Sequence, residues 1–120
     1  MIILQHIKEM QQVAQIGFSK KFNCWGATQY ALGYRKKYGW VGESVMRRWL
    51  QEKTDLIPDD NLMIGDILVI SSKEYGHLIH TAVYMGNQVW FHKEGKYKTS
   101  LDSKEIVLMK YIDIEYFWRG

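Results

Sequence analysis

The sequence predicts an α+β fold, with helices in the N-terminal half packed on an antiparallel sheet of about 4–5 strands in the C-terminal half. Before residue 60, apolar residues recur at steps of three and four, which is the period of amphipathic helices. After residue 60, short runs of β-branched and aromatic residues alternate with turn residues, which is typical of strands. Helices grouped before strands favour α+β over an alternating α/β arrangement.

Length and composition fit one domain over residues 1–120. The chain has 120 residues, of which 47% are hydrophobic and 14% aromatic, so it can bury a core without disulfides and disorder is not expected. Its single cysteine excludes an internal disulfide. The net charge of +3 arises from scattered basic and acidic residues, and no nucleic-acid motif is found. We therefore expect no nucleic-acid partner.

Membrane and export signals are missing from the sequence. No stretch approaches the roughly 18 apolar residues that span a bilayer. The N-terminus, MIILQHIKEMQQ, begins apolar, but the run is too short for a signal peptide and lacks a basic segment. We expect a protein that is cytoplasmic at synthesis and that another route exports or releases if it acts on a cell wall.

Three helices are predicted in the N-terminal half. The apolar stripe of the first helix consists of Ile3, Ile7, Met10, Val13 and Ala14, and Gly17 is its predicted stop. The second helix spans residues 24–37, with Asn23 as its N-cap. Its buried stripe consists of Ala27, Tyr30, Ala31 and Tyr34. The third helix spans residues 42–52, and the side chains predicted to face inward are Val45, Met46, Trp49 and Leu50. The IPDDN segment that follows is a predicted turn.

Four strands and a candidate fifth are predicted in the C-terminal half. DILVIS at 66–71 is a nearly continuous apolar run, as expected of a buried strand. HLIHTAVYM at 77–85 and QVWFHK at 88–93 flank a Gly-Asn hairpin signal. EIVLMK at 105–110 predicts the fourth strand, and IEYFW at 114–118 is the candidate fifth.

Cys24 is the candidate nucleophile. It falls in the first turn of the second helix, where the partial positive charge of a helix N-terminus lowers the pKa of a thiol. Gly26 and Ala27 are small and leave room for a substrate. Backbone N–H groups at the start of the helix would meet the developing oxyanion. The alternative is a buried, inert side chain, which is the common state of an isolated cysteine.

A nucleophilic cysteine needs a base, and the chain has four histidines: His6, His77, His80 and His92. Strand alternation puts His77 and His80 on opposite faces, and His80 is the candidate general base. A two-residue hairpin loop would turn His92 away from His80. A three-residue loop, 86–88, would make His92 a diagonal neighbour of His80 on the same face. Glu94 would then lie directly across from His80. His92 is therefore the first candidate to orient the His80 ring, and Glu94 is the runner-up.

Three blocks of the sequence together resemble the NlpC-type papain-like cysteine peptidases of bacterial cell walls. The blocks are NCWGATQYALG, LMIGDILVI and HTAVYMGNQVWFH. The positions that match the family pattern are Cys24, Gly26, Gly65, Asp66, His80, Tyr84, Gly86 and His92. The match runs from about residue 22 to the C-terminus. The family usually has Asp and Ser beside the cysteine, where this chain has Asn23 and Trp25, and often a Tyr upstream, where it has Phe18 and Phe22.

The resemblance implies a papain-like catalytic domain with Cys24 as nucleophile, His80 as general base and His92 as orienting residue. It implies cleavage of amide bonds in peptidoglycan stem peptides through a thioester acyl-enzyme, without a cofactor or metal. The residues expected to contact the substrate are Asn23, Trp25, Gly26 and Tyr84. Peptidoglycan or another peptide is the expected partner, and a proteinaceous inhibitor is a further candidate.

Three other functions are compatible with these residues. The same site supports acyltransferase, deamidase or transglutaminase chemistry, because a thioester can pass to water or to an amine. Cys24, His80 and His92 are acceptable zinc ligands, with His77 as a fourth, although no closely spaced pair supports a structural site. A non-catalytic cell-wall-binding domain would instead line a groove with the chain's five Trp and eight Tyr residues.

Overall fold

The described part of the chain forms one six-stranded antiparallel sheet with helices on both faces. The computed structural model describes residues 2–13, 22–37, 39–58, 61–72, 77–93, 99–110 and 114–120. The helices are α1 (Ile2–Val13), α2 (Cys24–Ala31), α3 (Glu43–Lys53) and α4 (Lys104–Lys110). The strands are β1 (Asp55–Ile57), β2 (Ile67–Ser71), β3 (Leu78–Tyr84), β4 (Val89–Lys93), β5 (Thr99–Ser103) and β6 (Ile114–Arg119), in the sheet order β1-β6-β2-β3-β4-β5. This architecture confirms the predicted α+β fold.

Three apolar clusters hold the helices on the sheet. The cluster under α1 and α2 consists of Ile7, Met10, Phe22, Ala27, Tyr30, Ala31, Val83 and Phe91. The cluster under α3 consists of Val41, Met46, Leu50, Ile67, Val69 and Leu78. On the opposite face, the cluster that includes α4 consists of Leu68, Ile70, Ala82, Trp90, Val107 and Phe117. Both faces of β2 are covered, which explains why residues 67–70 read as a continuous apolar run.

The second helix is shorter than the predicted span of 24–37. It ends at Ala31 because Gly33 adopts a positive φ of 82°. The N–H groups of Gly33 and Tyr34 then bond back to carbonyls of the last turn, at 3.0 Å each. Tyr34, which was predicted to lie in the buried stripe, is consequently exposed.

The buried stripes of the other two predicted helices are narrower than expected. In α3, Met46 and Leu50 are buried as predicted, but Val45 is 53% exposed because it lies about 100° around the helix from Met46. In α1, Ile7 and Met10 are buried. Ala14 and Gly17 lie outside the described residues.

The predicted strand at 105–110 is wrong, because this segment forms α4. A short apolar run fits a helix or a strand equally well. In the structure Val107 is buried while Ile106 is exposed, and Ser103 Oγ accepts the Ile106 N–H at 3.4 Å as a helix-capping side chain does. The sequence also did not predict the short strands β1 and β5. The candidate fifth strand at 114–118 is present as β6.

The hairpin between β3 and β4 has a three-residue loop. Tyr84 pairs with Trp90, and the Met85 N–H donates to the Val89 carbonyl at 2.8 Å, so the loop consists of residues 86–88. All three loop residues have positive φ angles, which lie between 52° and 86°. This is the register that places His92 on the same face as His80.

An ion pair with a buried carboxylate joins the start of β2 to the end of β6. Asp66 is 1% exposed, and its carboxylate accepts bonds from Arg119 Nε at 2.8 Å and Nη2 at 2.9 Å. Gly65 precedes it with a φ of 98°, which turns the chain into the strand. Gly65 and Asp66 therefore open β2, the first long strand. In the part of the chain that the structure describes, no helix has the length and apolar character needed to cross a membrane.

Gly26 is required by the close approach of another loop to the first turn of α2. A Cβ at this position would lie 1.6 Å from the carbonyl oxygen of Gly39. We predict that Gly26→Ala lowers the free energy of unfolding by at least about 2 kcal/mol, measured by denaturant titration. Gly42→Ala is the control, because a Cβ there meets no atom within 4 Å, and it should cost less than about 1 kcal/mol. Equal losses in the two variants would contradict this explanation.

Candidate active site

Cys24 is the first residue of α2, and the preceding Asn23 fixes its position. Asn23 Oδ1 accepts the Gly26 N–H at 2.9 Å, which caps the helix as predicted. The same side chain bonds Val41 twice, accepting its N–H at 3.2 Å and donating to its carbonyl at 2.9 Å. One buried amide therefore joins the start of the helix to the loop before α3.

Two threonines seat the start of α2 on β3. Thr28 Oγ1 donates to the Cys24 carbonyl at 2.9 Å, and Thr81 Oγ1 lies 3.4 Å from the same carbonyl oxygen. The two hydroxyl oxygens are 2.7 Å apart and also share a hydrogen bond. These bonds hold the backbone of Cys24 beside Thr81. Thr81 directly follows His80, the candidate base.

The Cys24 thiol is buried, and burial raises its pKa from 9.0 to about 11. The backbone N–H groups of Thr81, Trp25 and Cys24 itself favour the thiolate, but their combined effect is smaller than that of burial. The prediction that the helix N-terminus gives Cys24 a lowered pKa is therefore wrong in its net direction. At neutral pH the thiol is protonated, so its reaction as a nucleophile requires a base.

His80 and His92 are in direct contact. His80 Nε2 lies 2.8 Å from His92 Nδ1, and the two rings meet edge to face with centroids 5.0 Å apart. Each residue is 1% exposed. The three-residue hairpin loop makes this contact possible, because a loop shorter by one residue would turn His92 to the other face.

Asp102 extends the histidine pair. Its Oδ2 lies 2.8 Å from His92 Nε2, and its side chain is partly buried. Asp102 was not predicted as a site residue, because the sequence did not predict β5. The alternation of TSLDS, followed by a helix cap at Ser103, was the available signal. Glu94, the runner-up for orienting His80, lies outside the described residues.

The chain of hydrogen bonds fixes the protons on both rings. An ionised carboxylate can only accept, so His92 Nε2 carries the hydrogen that is donated to Asp102. In neutral His92, Nδ1 then has a lone pair and accepts a hydrogen bond from the N–H group at His80 Nε2. Neutral His80 consequently holds its own lone pair at Nδ1. The arrangement can present a base at one defined atom.

The predicted substrate-contacting residues have structural contacts of their own. Trp25 is half-buried in the cluster under α3, and its indole Nε1 has no acceptor among the described residues. The Tyr84 hydroxyl accepts the Gln88 N–H at 3.1 Å and braces the hairpin loop. Asn23 and Gly26 shape the helix start. A role of these four residues in substrate binding stays a prediction.

The remaining histidines lie elsewhere. His77 is exposed, with Nδ1 3.5 Å from Glu43 Oε1. His6 stacks on Tyr30, with ring centroids 4.3 Å apart. Across the described residues, no group of three or more His, Cys, Asp or Glu side chains is arranged to hold a metal ion. His77 is therefore not placed to serve as the fourth ligand of the zinc hypothesis.

Comparisons with known proteins identify relatives of the chain. The family model described as "NlpC/P60 family" matches residues 12–114. Among solved structures, the chain is similar to an NlpC/P60 family protein from Bacillus cereus, with a TM-score of 0.60 and 13% sequence identity. The match covers 95% of this chain and 39% of the Bacillus cereus chain. The sequence matches none of the curated proteins.

We predict that Asp102→Asn slows the alkylation of Cys24 by iodoacetamide at neutral pH by at least about tenfold. An amide can donate as well as accept, so the protons on His92 and His80 are no longer fixed, and the negative charge that favours a protonated histidine is lost. Ser100→Ala is the matched control, because Ser100 lies opposite His92 on the same strand as Asp102. An unchanged rate in Asp102→Asn would contradict the proposed proton order.

The raised thiol pKa predicts a loss of stability at alkaline pH. Between pH 9 and about 11, the unfolded thiol releases its proton while the folded thiol keeps it, so the free energy of unfolding falls as the pH rises. Across this interval the wild type should lose about 2 to 3 kcal/mol more than Cys24→Ala in denaturant titrations. Parallel pH curves for the two proteins would contradict the raised pKa of the folded thiol.

Proposed function

Because the chain belongs to the NlpC/P60 family, we propose that it is a cysteine hydrolase that cleaves amide bonds in the stem peptides of peptidoglycan. The family in general comprises cysteine peptidases and amidases that act on cell walls. The observation that carries the proposal is the chain of contacts from Asp102 Oδ2 to His92 Nε2 and from His92 Nδ1 to His80 Nε2, each of 2.8 Å. With Asp102 as acceptor, this chain leaves the lone pair of neutral His80 at Nδ1. In the proposed mechanism that atom accepts the proton of Cys24.

The first step joins Cys24 Sγ to the carbonyl carbon of the substrate amide. The thiol proton moves to His80 Nδ1 as the bond forms, because a thiol whose pKa is about 11 does not ionise by itself at neutral pH. His92 Nδ1 accepts a hydrogen bond from the N–H group at His80 Nε2, and this bond holds the His80 ring in place. The Asp102 carboxylate stabilises the positive charge that spreads over the two rings.

The carbonyl oxygen becomes an oxyanion and is stabilised at the start of α2. The backbone N–H groups of Cys24 and Trp25, which already favour negative charge on the sulfur, are the proposed donors. As the intermediate collapses, the C–N bond breaks and His80 returns its proton to the leaving amine. The product of this half-reaction is a thioester on Cys24.

Water completes the proposed reaction. His80, again neutral, removes a proton from a water molecule that attacks the thioester, and the acid product leaves with Cys24 restored as a thiol. An amine in place of water would give acyl transfer, which is the alternative that the same site supports. The identity of the second acceptor therefore separates a hydrolase from a transferase.

We predict that Cys24→Ala abolishes the release of fragments from purified peptidoglycan, measured by mass spectrometry. His77→Ala is the control, because this exposed histidine lies outside the site and its replacement should leave the release unchanged. Repeating the digestion with an added amine shows whether water or the amine accepts the acyl group, because a transferase gives products that are heavier by the bound amine. Fragment release by Cys24→Ala equal to that of the wild type would refute the proposal.

A further inference from the structure

Lys93 is a buried cation that the proposed mechanism does not use. It is the last residue of β4, directly after His92, and its relative exposure is 0%. Lysine is rarely buried to this extent, because taking an ammonium group out of water is costly unless another group compensates. Its neighbours therefore need to explain its charge.

The side chain of Lys93 reaches the start of α2. Phe91 packs in the cluster under α1 and α2, and Lys93, two residues further along the strand, faces the same side. Its Nζ lies 4.8 Å from the centroid of the Phe22 ring, within the range of a cation–π contact. Phe22 is two residues before Cys24. The ammonium is thus held on the helix side of the sheet, at the end where the nucleophile lies.

Lys93 and Cys24 act on each other electrostatically. The Lys93 ammonium favours the thiolate and lowers the pKa of Cys24, although burial of the thiol and the backbone N–H groups of Thr81, Trp25 and Cys24 each have a larger effect. In turn, burial lowers the pKa of Lys93 and the Cys24 thiolate raises it.

We propose that Lys93 is a positioning residue whose ammonium, held over the Phe22 ring, stabilises the negative charge that develops on Cys24 when its proton leaves. The inference rests on the proposed role of Cys24 as nucleophile. Lys93 exchanges no proton and forms no bond with the substrate. It acts through Cys24, across the contact between β4 and α2.

In the proposed mechanism, other titratable groups also take part in the ionisation of Cys24. The described ones are His80 on β3, His92 on β4 and, through His92, Asp102 on β5. In that mechanism His80 accepts the thiol proton, while His92 and Asp102 hold the His80 ring in place. Lys93 differs from them because it favours the thiolate without taking up its proton. Its removal should therefore shift the pH dependence of thiol reactivity and leave the hydrogen-bonded chain in place.

The test measures the rate of Cys24 alkylation by iodoacetamide as a function of pH in wild type, Lys93→Met and Lys93→Arg. Lys93→Met keeps most of the side-chain volume and removes the charge. It should shift the profile to higher pH by about one unit, which lowers the rate about tenfold at each pH below the thiol pKa. Lys93→Arg keeps the charge and should restore a profile close to that of the wild type. Lys93→Gln serves as a second neutral variant if Lys93→Met does not fold.

A purely structural role gives a different result. Thermal unfolding of the same variants would then show a lower midpoint in Lys93→Met, with an alkylation profile that coincides with that of the wild type, and this outcome would overturn the inference. The assay uses no peptidoglycan. A wild type that reacts with iodoacetamide but cuts no cell wall would refute the proposed hydrolase and still decide the role of Lys93.

Discussion

The candidate site depends on the hydrogen bond between Asp102 and His92. A carboxylate accepts and does not donate, so this one contact sets the proton on His92, which in turn sets the proton on His80. Without it, two facing imidazoles have several arrangements of similar energy, and the lone pair of His80 has no fixed place. The bond exists because β5 returns alongside β4 and brings Asp102 within reach of a fully buried ring.

A second set of contacts fixes the start of α2 beside β3. Asn23 caps α2 and also holds the loop at Val41, while the hydroxyls of Thr28 and Thr81 meet at the Cys24 carbonyl. These are all backbone contacts of the helix start, so they fix the position of Cys24 without involving its sulfur. The thiol remains neutral in a buried setting, where its ionisation depends on proton transfer and on nearby charge. The candidate site thus combines a helix start that is fixed by backbone hydrogen bonds with a thiol that is protonated at neutral pH.

The sequence predicted most of the fold because its local signals agreed with the tertiary structure. The apolar stripe of α1, the cap at Asn23 and the continuous run of β2 each have one dominant interpretation. The errors occur where local patterns are ambiguous. The apolar run at 105–110 fits a helix or a strand, and only the strand that precedes it, together with the cap at Ser103, decides between them.

The site was predicted in part for the same reason. Strand alternation identified His80 and reduced the position of His92 to a choice between two loop lengths, and the structure has the longer loop. Asp102 could not be found in this way, because its partner is ten residues distant and the intervening pairing was not predicted. The direction in which the pKa of Cys24 is shifted could not be predicted from the sequence either. It depends on how deeply the thiol is buried, whereas the sequence indicated only the opposing effect of the helix N-terminus.

The most direct test of the account is to observe the protons on His80 and His92. Long-range ¹H–¹⁵N NMR of the imidazole rings at neutral pH distinguishes protonated from unprotonated nitrogens, and His80→Gln and His92→Gln spectra assign the signals. We predict that each neutral ring has its hydrogen on Nε2 and its lone pair on Nδ1. A hydrogen on Nδ1 of His80 would contradict it, because His80 could not then accept the proton of Cys24 at that atom.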